Sequence, residues 1–268
     1  MKNQELIYYP VLDSVRDRAM DLEEKIKLKL IEWLKITDNI YEANAILIWW
    51  WDGFMLDTVK KYYDFDKLPE ENKLFFGVNC WTLWFLLNNI DYKYIPKTLE
   101  DLEIVRAQLI KVDIVKTDSS REIKYALNDV VVGWNMLDYF KFDLSSKQIN
   151  KRFHWSWLII STAMWSSAYR LNNWWPMIPA ESKVWWVSGL ASLPFGYKII
   201  RPEEVNIKIK WRSPVLVGVD GYGWKVDDVQ ELTISPTEHY VNMAFVKWTS
   251  FDTKRMLLAE EKLLREDF

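Results

Sequence analysis

Glycine is scarce in this chain, with eight residues in 268, where an average usage of ~7% gives about 19. Scarcity removes the residue on which tight turns and close backbone approaches usually depend. Cysteine is rarer still. Cys80 stands alone, which excludes an internal disulfide and suits a reducing compartment, so a cytoplasmic location is expected. Two histidines, His154 and His239, and that one cysteine supply too few ligands for a zinc site. No apolar run approaches the ~18 residues of a membrane span. The opening MKNQELIYYP lacks the basic stretch and long apolar run of a signal peptide. A net charge of −3 gives no electrostatic reason to expect nucleic acid or a membrane as partner. What is present is ordinary for a soluble protein: half the residues are apolar and 27% are charged. That is enough for one large domain or two modest ones.

Tryptophan is the exception, with 17 residues. If about 15 of them were glycines, both frequencies would become unremarkable. Trp33 lies on the apolar side of a helical pattern and reads as a genuine tryptophan. The others stand among turn residues. Trp49, Trp50 and Trp51 follow the strand-like Ala45-Ile46-Leu47-Ile48 and precede Asp52-Gly53. Trp81 and Trp84 interrupt the run from Gly77 to Phe85. Trp155 and Trp157 flank Ser156, and Trp165 precedes Ser166-Ser167-Ala168-Tyr169. Trp174 and Trp175 stand between Asn173 and Pro176, and Trp224 follows Gly221-Tyr222-Gly223. Turns of this kind often need a positive φ or a close backbone approach. A core or a sugar-binding platform of tryptophans would instead follow helical or strand periodicity. The pattern suits a gene in which UGA encodes glycine, as in a few bacterial lineages, read with a table in which UGA encodes tryptophan. The codons at Trp50 and Trp165 decide this, because UGG there would end it.

Along the chain, residues 5–9 suggest a short strand and 13–36 a long amphipathic helix. Residues 44–48 form a strand, 53–63 a helix and 75–79 another strand. Thr98 is placed to cap a helix through Ala107. This alternation argues for an α/β layer with a parallel sheet. From residue 110 to 249 the pattern turns to short β-rich runs at 112–115, 126–132, 158–161, 205–210, 214–219, 231–234 and 240–246, with one helix near 166–171. A charged helix closes the chain over 252–266. The expected fold class is therefore an α/β N-terminal domain plus an all-β C-terminal domain, with boundaries at 1–108, 109–250 and 251–268.

With glycine at the turn positions, residues 50–53 read Gly-Gly-Asp-Gly after a buried strand and before a helix. Such a turn presents backbone N–H groups to phosphate. A carboxylate inside it repels phosphate, so Asp52 makes sense as a base acting on a hydroxyl or as a metal contact. The segment from Phe153 to Tyr169 resembles the F-R-x-D-G-L-I-x-S-T-P-T-G-S-T-A-Y stretch of the NAD kinase family. Asn173-Trp174-Trp175-Pro176 resembles its G-G-P, and Ala126-Leu127-Asn128-Asp129-Val130 its A-L-N-E-V. Residues 77–86 resemble G-I-N-x-G-x-L-G-F-L, and Val219-Asp220-Gly221 a late strand-turn. The likeness runs in order from about residue 44 to 235. It implies a two-domain, NAD kinase-like fold and an enzyme that phosphorylates the adenosine-ribose 2′-hydroxyl of NAD. It also implies ATP or polyphosphate as donor, magnesium or another divalent metal, and a homodimer or homotetramer.

The resemblance gives Asp52 the role of general base and lets Gly53 line the phosphates. A helix-capping aspartate is the plainer alternative. Asn128 and Asp129 are expected to contact NAD, although the family usually has Glu where this chain has Asp129. Ser156 stands where the family has Asp, near the nicotinamide. His154 stands where it often has Arg, near phosphate. Ser167, Ala168 and Tyr169 match the segment that holds the adenosine part. Phe85 is placed to flank the adenine, and Asp220 and Tyr222 are weaker binding candidates at the late turn. Phe54, Ala163 and Met164 depart from the family pattern. Two other functions stand beside this one. A diacylglycerol or sphingoid-base kinase shares the Gly-Gly-Asp-Gly turn but not the Asn128-Asp129 block. If the tryptophans are real, the chain is an inactive, Trp-rich homologue.

Overall fold

The computed structural model of the chain describes residues 4–12, 24–25, 32, 34–79, 86–133, 139–165, 178–190, 197–210, 215–221 and 225–247. It divides into two compact units, Met1–Arg106 with Val241–Phe268, and Ala107–Tyr240.

A parallel strand covered on both faces needs an unbroken apolar run. Ala45-Ile46-Leu47-Ile48 supplies one, and all four residues are fully buried. In the first unit, β1 (Ile7–Leu12) pairs in parallel with β2 (Lys35–Ile36) and β3 (Ala45–Trp50). β3 pairs in parallel with β4 (Leu74–Asn79), and β4 with the late segment Asn242–Ala244. Helix α1 (Asp52–Tyr62) follows β3 after one residue and buries Met55, Leu56 and Val59. Tyr8, Leu47, Trp49, Phe76, Val78 and Val246 share one apolar cluster on this sheet. The connection βαβ on a parallel sheet places the N-terminus of α1 at the C-terminal end of β3, where open α/β sheets bind ligands.

Gly77 on β4 sets how closely α1 approaches. A Cβ there would lie 2.3 Å from Leu87 Cδ2 and 2.5 Å from Met55 Cε. Gly77→Ala is therefore expected to cost about 1–3 kcal/mol of stability, read as a lower midpoint in urea denaturation. An unchanged midpoint would show that Met55 and Leu87 yield freely.

The second unit is antiparallel. β7 (Asp129–Gly133) pairs with β10 (Trp157–Thr162) and β14 (Val215–Val219). β10 continues to β11 (Trp185–Leu190), and that strand to β12 (Tyr197–Ile200). β15 (Lys225–Val246) pairs with β14 and with β13 (Val205–Ile209). β13 pairs with β8 (Phe140–Ser145), which pairs with β9 (Asn150–Trp155). β5 (Leu102–Lys116) pairs with β6 (Arg121–Ala126). Alternate residues of these strands feed one core, including Val112, Val130, Phe142, Ile160, Val217 and Leu232.

Several expectations are corrected. Thr98 caps no helix through Ala107. It precedes one 3-10 turn, Leu99–Asp101, and its hydroxyl reaches Asp101 Oδ2 at 3.1 Å. Leu102 onward is β5, in which buried Val105, Ala107 and Leu109, and then Val112 and Ile114, are separated by exposed or half-buried residues, a strand pattern that overrides the capping signal. The helix expected over 13–36 does not reach its last residues, because Lys35–Ile36 is a strand; Glu24 and Lys25 are helical. The run 126–132 breaks at Leu127-Asn128, and the runs 231–234 and 240–246 are one strand, β15. β6, β8, β9, β11 and β12 have no counterpart among the expected runs. The helices over 166–171 and 252–266 lie outside the described residues.

The tryptophans also need correction. Trp49, Trp155 and Trp157 lie in strands rather than turns, where aromatic side chains suit the pleat. Trp49, Trp155, Trp185 and Trp186 are at most 8% exposed. Trp155 packs on Phe153 at a ring separation of 4.3 Å, and Trp186 on Tyr197 at 4.6 Å. These four read as core residues.

Candidate functional site

In the first unit the candidate site is the bend from β3 into α1. Trp51 holds the N-cap position with φ −134° and ψ 166°, and its side chain makes no cap. That backbone is extended, so the position does not demand glycine on conformational grounds. Space is the constraint. A Cβ on Gly53 would lie 2.6 Å from Trp51 Cη2 and 2.7 Å from Cζ3, so the indole lies directly over Gly53. It is 43% exposed and covers the helix N-terminus from the solvent side.

Asp52 is the first residue of α1 and is 2% exposed. Its Oδ1 accepts the backbone N–H of Leu86 at 3.0 Å. A carboxylate at this end of a helix sits where the dipole favours negative charge. Its partner is remote in sequence, so the carboxylate is not merely a local cap. Asn88 supports the same region, a role that sequence reasoning missed. Its Nδ2 donates to Gly77 O and Ala244 O, and its Oδ1 accepts from Val246 N–H. Nothing in the neighbouring Asn89 or Ile90 marks Asn88 out beforehand.

The second unit holds a different kind of site. Between β6 and β7, the backbone of Leu127-Asn128-Asp129 is completely bonded. Asp220 Oδ2 accepts Leu127 N–H at 3.0 Å, and Asp220 Oδ1 accepts Asn128 and Asp129 N–H at 2.6 and 3.2 Å. Asp220 N–H donates to Asp129 O at 2.9 Å, and Thr162 N–H to Asn128 O at 2.8 Å. Thr162 Oγ1 donates to Leu127 O at 2.8 Å. Against this, the side chain of Asn128 has neither polar atom bonded. Both Oδ1 and Nδ2 are buried without a partner, in a residue 1% exposed. Buried amides are normally satisfied, and each unsatisfied group costs on the order of 1–3 kcal/mol.

The structure thus brings Asn128, Asp129 and Asp220 together, with Thr162 as an unforeseen fourth member. Asp220 spends its carboxylate on the backbone. Ser156 is buried at the opposite end of β10 from Thr162, roughly 20 Å away at ~3.3 Å per residue. His154 is exposed on β9 with Tyr139 against its ring at 5.5 Å. Neither joins the Asn128 turn. Phe85, Ser167, Ala168, Tyr169 and Tyr222 lie outside the described residues. Among the described residues no three His, Cys, Asp or Glu side chains gather as a metal cage. No helix there is long and apolar enough to cross a membrane.

No protein-family model matches the chain. It is 25% identical to a NAD kinase of Rickettsia akari over 261 residues, covering 90% of this chain and 93% of the relative. It is 24% identical to a NAD kinase of Rickettsia prowazekii over 260 residues, with the same coverage. The fold is similar to yeast NADH kinase complexed with NADH, at a TM-score of 0.75 and 16% identity, covering 99% of this chain and 89% of that one. It is also similar to an NAD kinase from Archaeoglobus fulgidus in complex with ATP, at a TM-score of 0.65 and 16% identity, covering 95% and 98%.

Proposed function

Starting from a chain that resembles NAD kinases along nine-tenths of its length, we propose that it is itself a NAD kinase. It transfers the terminal phosphoryl group of ATP, or of polyphosphate, to the adenosine-ribose 2′-hydroxyl of NAD and releases NADP. The observation that carries this reading is the bare side chain of Asn128 on a fully bonded backbone. A buried amide with a free donor and a free acceptor is made for a ligand that offers both, as a nucleoside's base and ribose do.

Asp52 takes the 2′-hydroxyl proton as that oxygen bonds to phosphorus and the bridging P–O bond breaks, leaving ADP, or a polyphosphate chain one unit shorter. Little covalent work falls to the protein in such a transfer, so position and charge dominate. The backbone at Gly53 and the N-terminus of α1 face the phosphates. A divalent cation would fit this chemistry as a companion of the substrate phosphates. Asp52 would be the residue of this chain to hold it, and the cation would supply neutralisation of charge on the leaving group. The enzyme is proposed to be cytoplasmic and to work as a homodimer or homotetramer.

The indole over Gly53 occupies space that a phosphate would need. The proposal therefore includes glycine at positions 50 and 51 in the working molecule, as UGA decoding would supply. The buried strand tryptophans give this no support.

Asn128→Ala separates binding from folding. Thermal stability should be equal to wild type or higher, because two unsatisfied buried atoms are removed. The Kd for NAD, measured by calorimetry, should rise at least ~10-fold, the effect of about 1.4 kcal/mol. A drop in Tm with an unchanged Kd would make Asn128 structural. NADP formation by the glycine-51 protein, with diacylglycerol as the control acceptor, tests the activity. Phosphorylation of the lipid alone would overturn it.

A further inference from the structure

We infer that Asp220 is a positioning residue for the acceptor nucleotide, acting through Asn128 rather than by touching the ligand. The inference rests on the NAD kinase reading for the ligand's identity, but its geometry is independent of it. One carboxylate, 8% exposed, accepts the N–H groups of three successive residues, Leu127, Asn128 and Asp129. Hydrogen bonds to a charged acceptor are stronger than neutral ones, and the one from Asn128 N–H, at 2.6 Å, is the shortest of the three. Together they fix the orientation of three consecutive peptide planes, two of which flank Asn128, and so fix the direction of the Asn128 Cα–Cβ bond. The return bond from Asp220 N–H to Asp129 O closes the clamp.

Asp220 holds this geometry at φ +53°. A non-glycine residue rarely adopts that conformation, and Asp and Asn tolerate it best. Gly221 follows at φ +91° with nothing within 4 Å of a Cβ position. The chain therefore turns sharply at 220–221 and delivers the carboxylate to the 127–129 backbone. Thr162 completes the clamp from β10 with its N–H and its hydroxyl. Every polar backbone atom of the three residues is held by one of these two partners, while both polar atoms of the Asn128 side chain are buried without a partner. Asp220 thus keeps an unsatisfied amide aimed in one direction when it could otherwise relax onto its own backbone.

The test compares Asp220→Asn, Asp220→Ala and wild type, all with glycine at position 51. Asparagine keeps the left-handed turn and one acceptor but places an N–H₂ against the clamped N–H groups. The KM for NAD is expected to rise at least ~10-fold in the asparagine variant and further in alanine, while the KM for ATP changes less than ~2-fold. A residue that serves folding alone would lower the active fraction, and kcat with it, and leave both KM values in place. That result would overturn the inference. Hydrogen exchange at amides 127–129, measured without substrate, gives a readout independent of activity. Exchange there should rise in both variants while amides 158–161 of β10 stay protected. If wild type neither binds nor turns over NAD, the functional reading fails, and the exchange pattern still decides whether Asp220 is the clamp. Unchanged protection at 127–129 in a folded asparagine variant would end the proposal. If alanine fails to fold, the asparagine variant alone decides.

Discussion

Asp52→Asn is expected to lower turnover of NAD to NADP by roughly 10²–10⁴-fold, the usual contribution of a positioned general base. The substitution is chosen for what it preserves. Asparagine has the same size, and its Oδ1 can still accept the Leu86 N–H that the carboxylate accepts at 3.0 Å. The bend into α1 should therefore survive, with a Tm close to wild type. What is lost is the proposed proton acceptor and one negative charge. The KM for ATP should change little, because loss of a charge that repels phosphate is offset by loss of a contact to the phosphate-bound cation, while kcat collapses. Turnover near wild type in this variant, or in Asp52→Ala, would remove Asp52 from the chemistry.

The second large effect concerns position 51. A protein made with tryptophan there is expected to bind ATP poorly, and Trp51→Gly should raise kcat/KM for ATP by at least ~100-fold, about 2.7 kcal/mol. The indole stands within 3 Å of the Cβ position of Gly53, where the phosphate-facing N–H groups must remain open. It is also 43% exposed, so its removal costs little packing. The matching observation on native material is its mass, which should be lower than the tryptophan-containing chain by whole multiples of about 129 Da (the side-chain difference, a covalent change of the kind in). A native mass with tryptophan at 51, together with full kinase activity, would show that the indole swings clear and that no glycine is needed.

Much of the first unit was readable in advance, because a buried parallel strand announces itself. Ala45–Ile48 and Phe75–Val78 are apolar without a break and could belong to little else. Asp52 stood out because a carboxylate among small turn residues needs a reason. The second unit was harder. Phe140, Phe142 and Leu144 alternate with Lys141 and Asp143, yet β8 escaped notice because no strong turn signal precedes it. Thr98 misled because a capping pair with Asp101 looks the same before one turn as before a helix. Asn128 was legible only through its likeness to a family motif. Its bare amide, the clamp by Asp220 and the part of Thr162 depend on bonds spanning 34 to 93 residues, and no local pattern carries such pairings. The neighbours of a tryptophan in sequence cannot tell a strand end from a turn; the pleat accommodates four tryptophans in the core.

The unsatisfied amide of Asn128 also has a consequence for the protein's persistence. A molecule that carries an unmet bonding demand when empty loses that burden on capture of its substrate. By mass action, ligand at 100 times its Kd deepens the folded state by about 2.7 kcal/mol. Resistance to proteolysis should then follow the NAD supply, so that a starved cell clears idle copies faster than busy ones.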